Sequence, residues 1–520
     1  MENLDRRLAR SQGFKMSLER LSLLAVGGLL LYAVLGNTCI ELLRGLFGVD
    51  IAARAGWLAQ GSVGLFFMAA ILAAWRWLLP LQGSGRNFLA GLTWWHIALP
   101  ALAIRVAWVL LADPKQSSDY AVYDRMAVDI LNGKYLFDPT AIRPAGCSIV
   151  FALIYAVAGH NPLCAQLGLA LVGAATVGVL HRLTLRLTQS PSAAGLAAIL
   201  LALTPEHIYY SSLLGTDVLF SFLVLLGLWF LAKGDDRGSA GWVWLAAAGI
   251  FLGLGNWCRG TAPLFVFSAV LYVLLSKDRL WTRFCRGAMI SAAFLVTITP
   301  ILAYNWTNFH KFSPSLQQMS GWSLMVGTNV PNSGTWNIED QELLRHLMAD
   351  RGDDSNVHPV VLRDSVAMET GKRRLADNPL GFATMAMTRK LPKLWGEVGT
   401  LGWSLNDSRV ADTPIWGWLK GEAQIWHACL AFAAAVGFMY AALRRRATWN
   451  VLQPFLWAML LTTFTHVFLE SQSRYHHMFL PLLCLGAAMF FRRSGLPRQD
   501  AHRDARTHRA ASKQYSEATA

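Results

Sequence analysis

Residues 146–159 read GCSIVFALIYAVAG, an apolar run of about 14 residues whose reading decides the fold. A helical membrane crossing takes about 20 apolar residues, so this run falls short. Longer apolar runs lie on both sides of it. They cover roughly 21–40, 57–79, 92–112, 163–181, 193–211, 215–232, 241–258, 261–276, 287–304, 423–443, 450–469 and 475–491. With those twelve as crossings, the Lys- and Arg-rich loops all fall on one side, as cytoplasmic loops should. That side takes Arg6, Arg7, Arg10, Lys15 and Arg20, then Arg76 and Arg86, Arg182 and Arg186, Lys233 and Arg237. It also takes Lys277, Arg279, Arg283, Arg286, Arg444, Arg445, Arg446 and the tail from Arg492. Counting 146–159 as a crossing would invert every later loop and put the basic clusters outside. The run is therefore expected to be an interfacial or re-entrant helix on the outer face, in an all-α polytopic membrane protein of about twelve transmembrane helices.

Composition agrees. Of 520 residues, 54% are hydrophobic and 15% charged, against about 25% charged in soluble domains. Mean hydropathy is +0.36. The 21 Trp sit often near the ends of apolar runs, where interfacial belts form. A net charge of +14 would suggest nucleic acid in a soluble protein; here the basic loops account for it. Seven scattered Cys make no disulfide scaffold. There is no P-loop, dinucleotide-binding glycine motif, HExxH or CxxC pair, and adjacent His476 and His477 point about 100° apart on a helix.

The expected organisation follows. Residues 1–92 are a cytoplasmic N-terminus with two transmembrane helices, and 93–304 a transmembrane module with an outer loop at 113–162. A mostly helical outer domain occupies 305–422, with apolar spacing of three to four at 338–350 and 363–376. Transmembrane helices at 423–491 and a disordered basic tail at 492–520 close the chain. Asn305-Trp306-Thr307 and Asn406-Asp407-Ser408 match the glycosylation acceptor pattern, which is common by chance.

Charged groups at membrane depth usually carry function or pair with a partner. They are Arg105, Asp119, Asp124, Arg143, Asp217, Arg259, Glu470 and Arg474. Most map to the outer rim, where acids and arginines from distant segments can converge. A carboxylate within hydrogen-bond reach takes a proton from an attacking hydroxyl. Arginine forks onto phosphate oxygens and stabilises the charge on a departing phosphate. Plainer roles compete: helix capping for Asp119, a helix N-terminal charge for Asp217, solvation for Asp124, snorkelling for Arg105, and mutual pairing for Glu470 and Arg474.

Four segments together resemble a known family: SSDYAVYDRMAVDILNGKY with RPAGCSIVFALIYAVAG, LALTPEHIYYSSLLGTDVLFSFLVLLGLWFLA, GLGNWCRGTAPLFVF, and SRYHHMFLPLLCL. In their order and spacing they resemble the GT-C glycosyltransferases, in particular the bacterial dolichyl-phosphate-mannose-protein mannosyltransferase-like family that includes aminoarabinose transferases. The resemblance implies a GT-C fold with interfacial helices in the first outer loop. It implies inverting transfer of a sugar from a polyprenyl-phosphate donor to a lipid, glycan or protein acceptor at the periplasmic face of a bacterial inner membrane, with both termini cytoplasmic. Asp119 matches the catalytic acid and Asp217 a second one; Arg143, Arg259 and Arg474 match phosphate-holding positions, and Asp124, Tyr123, Glu470 and Tyr475 lie beside them. Relatives often read RPPG where this chain has Arg143-Pro144-Ala145-Gly146, and Thr-Pro where Gly-Thr follows Arg259. Some use a divalent metal near the acids and others none, so no cofactor is assigned. A secondary transporter, which should show related halves or broken helices with midplane charges, remains the main alternative. A polysaccharide ligase or polymerase of the same fold class is another.

Overall fold

The computed structural model describes residues 2–47, 84–235, 241–351, 357–443 and 450–491, with a few isolated positions between 62 and 69. The expected crossing at 57–79 and the tail at 492–520 lie outside these residues. So do Arg76, Arg237 and Arg444–Arg446. Among the described residues the fold is all helical.

Seven helices are long and apolar enough to cross a membrane: Ser17–Leu42, Trp94–Ala112, Pro162–Thr188, Asp217–Gly234, Gly241–Cys258, Leu280–Phe309 and Ile415–Leu443. An eighth is broken, with Pro191–Leu203 and Pro205–Ser212 meeting at 59°. Pro205 lacks the amide proton that would continue the ladder, and its ring crowds the preceding turn. The other three expected crossings that are described are shorter helices: Ala262–Leu274, Leu452–Phe468 and Leu480–Phe491.

The deciding run forms a helix of 13 residues, Gly146–Ala158. The helices that flank its loop, Trp94–Ala112 and Pro162–Thr188, run antiparallel: Arg182 lies 4.8 Å from the Trp94 ring, while Arg105 abuts Gly173. Gln116 and Gln166, just past the end of one and near the start of the other, both donate to the Ser212 carbonyl, at 3.2 and 2.8 Å. The chain thus leaves and re-enters the bundle at one level, and 146–158 does not cross. Asn161 caps the re-entering helix through the Leu163 amide, with Pro162 at its first position.

At the opposite end of the bundle the basic loops find partners. Arg186 donates to the Ala232 carbonyl, Arg286 pairs with Asp278 at 2.6 Å, and Lys233 sits between the rings of Trp229 and Trp244.

Between Phe309 and Ile415 the chain builds short helices with a small core of Met325, Leu344, Leu362, Val366 and Ala367. The stretches at 338–350 and 363–376 fall within helices Ile338–Arg351 and Pro359–Asp377. Asn305 is fully buried and donates to the Ser313 and Ser315 carbonyls, so its side chain is closed to glycosylation.

One lysine ties this region to the bundle. Lys390, 1% exposed, donates from Nζ to the carbonyls of Gly327, Val467 and Leu469 at 2.8, 2.7 and 2.8 Å. Lys390→Met leaves three carbonyls without their donor, at a cost of about 3 kcal/mol or more. A markedly lower midpoint of thermal unfolding in detergent is expected; an unchanged midpoint would dismiss the tie.

Candidate functional site

Asp119 opens the helix Ser118–Leu131. Ser118 before it takes a left-handed φ of 50°, a strained conformation for a non-glycine residue. The carboxylate does not cap the helix. One oxygen accepts from Arg143, the other from Arg474 at 3.1 Å. Two arginines far apart in sequence therefore clamp one acid from both sides.

Asp217 begins Asp217–Gly234, as a helix N-terminal charge would, and also pairs with Arg259 at 3.0 Å. The Arg259 guanidinium lies 5.4 Å from the Tyr475 ring, and that of Arg474 lies 5.9 Å from the same ring. Tyr475 thus sits between the two ion pairs. Gly215, two residues before Asp217, touches the Tyr120 ring beside Asp119. The five residues singled out as acids and phosphate-holding arginines meet at one end of the bundle.

Gly146 is needed for this approach. A Cβ there would stand 2.6 Å from the Trp257 carbonyl carbon and 2.8 Å from the Cys258 amide. Its absence lets the Arg143 turn close against the end of the helix that leads to Arg259.

Exposure separates the acids. The Asp119 side chain is 21% exposed and that of Asp217 only 3%. Asp119 is partly open to solvent, whereas Asp217 is closed off against Arg259. Burial pushes the Asp119 carboxyl up, but Arg474 and Arg143 more than offset this and hold it below the usual carboxylate range. Its ion pairs therefore stabilise the fold above the unfolded-state value of about 3.9, and that stability is lost as pH falls through the lower folded value. The gap in unfolding midpoint between wild type and Asp119→Asn is expected to close as pH is lowered below about 4. A gap independent of pH would remove the ion pairs as its cause.

The neighbours divide. Tyr123 is buried, and burial pushes its phenol up, so it is no base near neutrality. Asp124 is neither solvated nor at the clamp: it accepts from Tyr155 at 2.6 Å and faces His160 at 3.2 Å, tying the two loop helices together. Glu470 does not pair with Arg474; its carboxylate accepts from Gln472, and burial raises it above the usual range. Arg105 does not snorkel. It is fully buried, donates to the carbonyls of Ala101, Leu201 and Ala202, and meets His207 at 2.7 Å. It thereby satisfies carbonyls freed at the Pro205 break.

Glu206, absent from the charges singled out in the sequence, is 2% exposed and approaches His476 and His427. The signal was an acid and a histidine directly after a proline inside an apolar run. Ser404, also absent from the sequence reading, accepts at 2.9 Å from the hydroxyl of Tyr120, which is next to Asp119 in the chain.

Comparison with known proteins adds a partial match. Residues 143–304 match the family model described as dolichyl-phosphate-mannose-protein mannosyltransferase. That segment contains Arg143, Asp217 and Arg259 and leaves out Asp119 and Arg474. No curated protein matches the chain. Among solved structures, the archaeal oligosaccharyltransferase AglB from Archaeoglobus fulgidus, with an inhibitory peptide and a dolichol-phosphate, is 15% identical with a TM-score of 0.42. The match covers 76% of this chain and 50% of that one, so the chain spans about half of that relative's length. ArnT from Cupriavidus metallidurans bound to undecaprenyl phosphate is 16% identical with a TM-score of 0.38, covering 76% of this chain and 77% of that one. Its apolar helices make the chain a multi-pass membrane protein, and its segment 143–304 is similar to the dolichyl-phosphate-mannose-protein mannosyltransferase family.

Proposed function

We propose that the chain transfers a sugar from a polyprenyl-phosphate donor to an acceptor at the membrane face where Asp119 lies, with inversion at the anomeric carbon. The observation that carries this reading is the clamp: one partly exposed acid held by two arginines, beside a second acid–arginine pair. At rest the arginines spend their charge on Asp119, which makes it a weak base. A donor phosphate that engages Arg143 and Arg474 would compete with Asp119 for them and free the carboxylate. Among the described residues, buried Nε of Arg143 and Arg474 and Nη1 of Arg259 still lack a hydrogen-bond acceptor, so donors remain for phosphate oxygens.

In a single displacement, the acceptor oxygen or nitrogen bonds to the anomeric carbon as the carbon–oxygen bond to phosphate breaks. The acceptor proton passes to Asp119, and the phosphate leaves with the bond electrons, held by the arginines. Asp217 positions Arg259. In this reading the active face is periplasmic, the membrane is a bacterial inner membrane, and both termini are cytoplasmic. The acceptor is a lipid, glycan or protein.

The test is incubation of the detergent-purified chain with a panel of radiolabelled polyprenyl-phosphate sugars and a membrane extract. Labelled product is expected from at least one donor. Absence of binding to every lipid-linked sugar would sink the reading in favour of transport.

A further inference from the structure

A second polar cluster, separate from the Asp119 clamp, lies where three elements meet: the turn Pro205–Tyr209, the long helix Ile415–Leu443 and the 3-10 segment Ser473–Phe479. Glu206, His427 and His476 are 2%, 1% and 0% exposed. Glu206 Oε2 stands 2.9 Å from His476 Nε2 and 3.7 Å from His427 Nδ1. The three facing atoms lie within 4.8 Å of one another.

The proton positions follow from the far side of each ring. His476 Nδ1 faces the Leu394 carbonyl at 2.8 Å, and His427 Nε2 faces the Trp395 carbonyl at 3.0 Å. A carbonyl only accepts, so each of those nitrogens carries the hydrogen. In neutral rings the near nitrogens are then bare lone pairs. Both point at Glu206 Oε2, which as a carboxylate is also an acceptor. Three acceptors thus converge in a buried site with no donor between them. One added proton would serve His476 and Glu206 but leave His427 Nδ1, which has no hydrogen-bond partner, still facing an acceptor. A cation satisfies all three.

We infer that Glu206, His427 and His476 bind a divalent transition metal, with zinc the best match. Two imidazoles and one carboxylate are a zinc donor set. Bonds of about 2.0–2.2 Å in a tetrahedral arrangement place donor atoms about 3.3–3.6 Å apart, a range that 2.9 and 3.7 Å bracket. Anchoring both far N–H groups on successive backbone carbonyls is the outer-shell pattern that orients metal-binding histidines. The site is structural in its consequence. His476 lies two residues after Arg474, so the metal would hold the 3-10 segment that presents Arg474 to Asp119, against the broken helix and the long one.

The test uses the full chain, purified without a histidine tag or chelator. Elemental analysis should find about one zinc per chain. Exchange into Co(II) should give the intense visible bands of a tetrahedral nitrogen–oxygen site. His427→Gln, which can still donate to the Trp395 carbonyl, should lose metal content at least tenfold while eluting as a single species. Asp119→Asn should keep the metal, which separates this site from any metal at the clamp. Should the histidine variant fail to fold, a wild-type unfolding midpoint that falls on chelation and returns with zinc supports the site. Wild-type protein with background metal and no Co(II) bands would overturn it, leaving a protonated His476 paired with Glu206. So would equal metal in wild type and His427→Gln.

Discussion

Asp119→Asn is expected to lose sugar transfer by about 10²–10⁴-fold, the range a positioned proton acceptor contributes. The amide keeps the shape of the acid but can neither hold the proton nor balance two guanidiniums. Donor binding is expected to survive or tighten, because Arg143 and Arg474 no longer spend charge on Asp119. That split between turnover and binding is the informative readout. A variant that loses donor binding in step with turnover would make Asp119 a binding group instead of the base. A variant with wild-type turnover would remove it from the chemistry. Each comparison is made at equal yield of monodisperse protein.

The second large effect is on stability. Arg259→Met strands the Asp217 carboxylate, 3% exposed and now without its partner at 3.0 Å. Breaking a buried pair from one side typically costs about 3–5 kcal/mol, because the remaining charge is uncompensated. The variant is expected to be strongly destabilised or poorly expressed. Asp217→Asn combined with Arg259→Met removes both charges and should recover much of the loss. If the double variant is no more stable than Arg259→Met, the burial of an unpaired charge is not the cause. Transfer by the recovered double variant would then show what Arg259 contributes beyond its pair. Low activity with a raised KM would fit a lost contact to donor phosphate.

Several features were legible because they depend on local composition and on charge counting. The Gly146–Ala158 helix was readable as a non-crossing element from its length and from the basic loops that would otherwise invert. The helices at Ile338–Arg351 and Pro359–Asp377 were readable from spacing. Asp119, Asp217, Arg143, Arg259 and Arg474 stood out because charge in an apolar chain is conspicuous. Which of these charges pair was not legible. Glu470 and Arg474, four residues apart, invited a local pair; the extended and 3-10 backbone between Leu469 and Phe479 turns them to different partners. Arg105 near a helix end invited snorkelling, but the Pro205 break exposes carbonyls inside the bundle that a guanidinium can satisfy.

The histidines mark the boundary most clearly. Adjacent His476 and His477 were readable as side chains that diverge, and they do: His476 turns to Glu206, while His477 stacks on His207 at 5.3 Å. Nothing near His476 in sequence announces Glu206 or His427, which lie 270 and 49 positions away. Their meeting depends on three helices packing at one level. By itself the sequence determined an all-helical membrane chain and the residue types available for acid–arginine chemistry. These follow from the transfer energy of side chains and the period of a helix, which are local quantities. Only the tertiary structure decided that two arginines share Asp119, that Lys390 holds the loop leading to Arg474, and that Glu206 faces two histidines. Those pairings are set by the order in which helices pack and by the buried polar groups that each packing must satisfy.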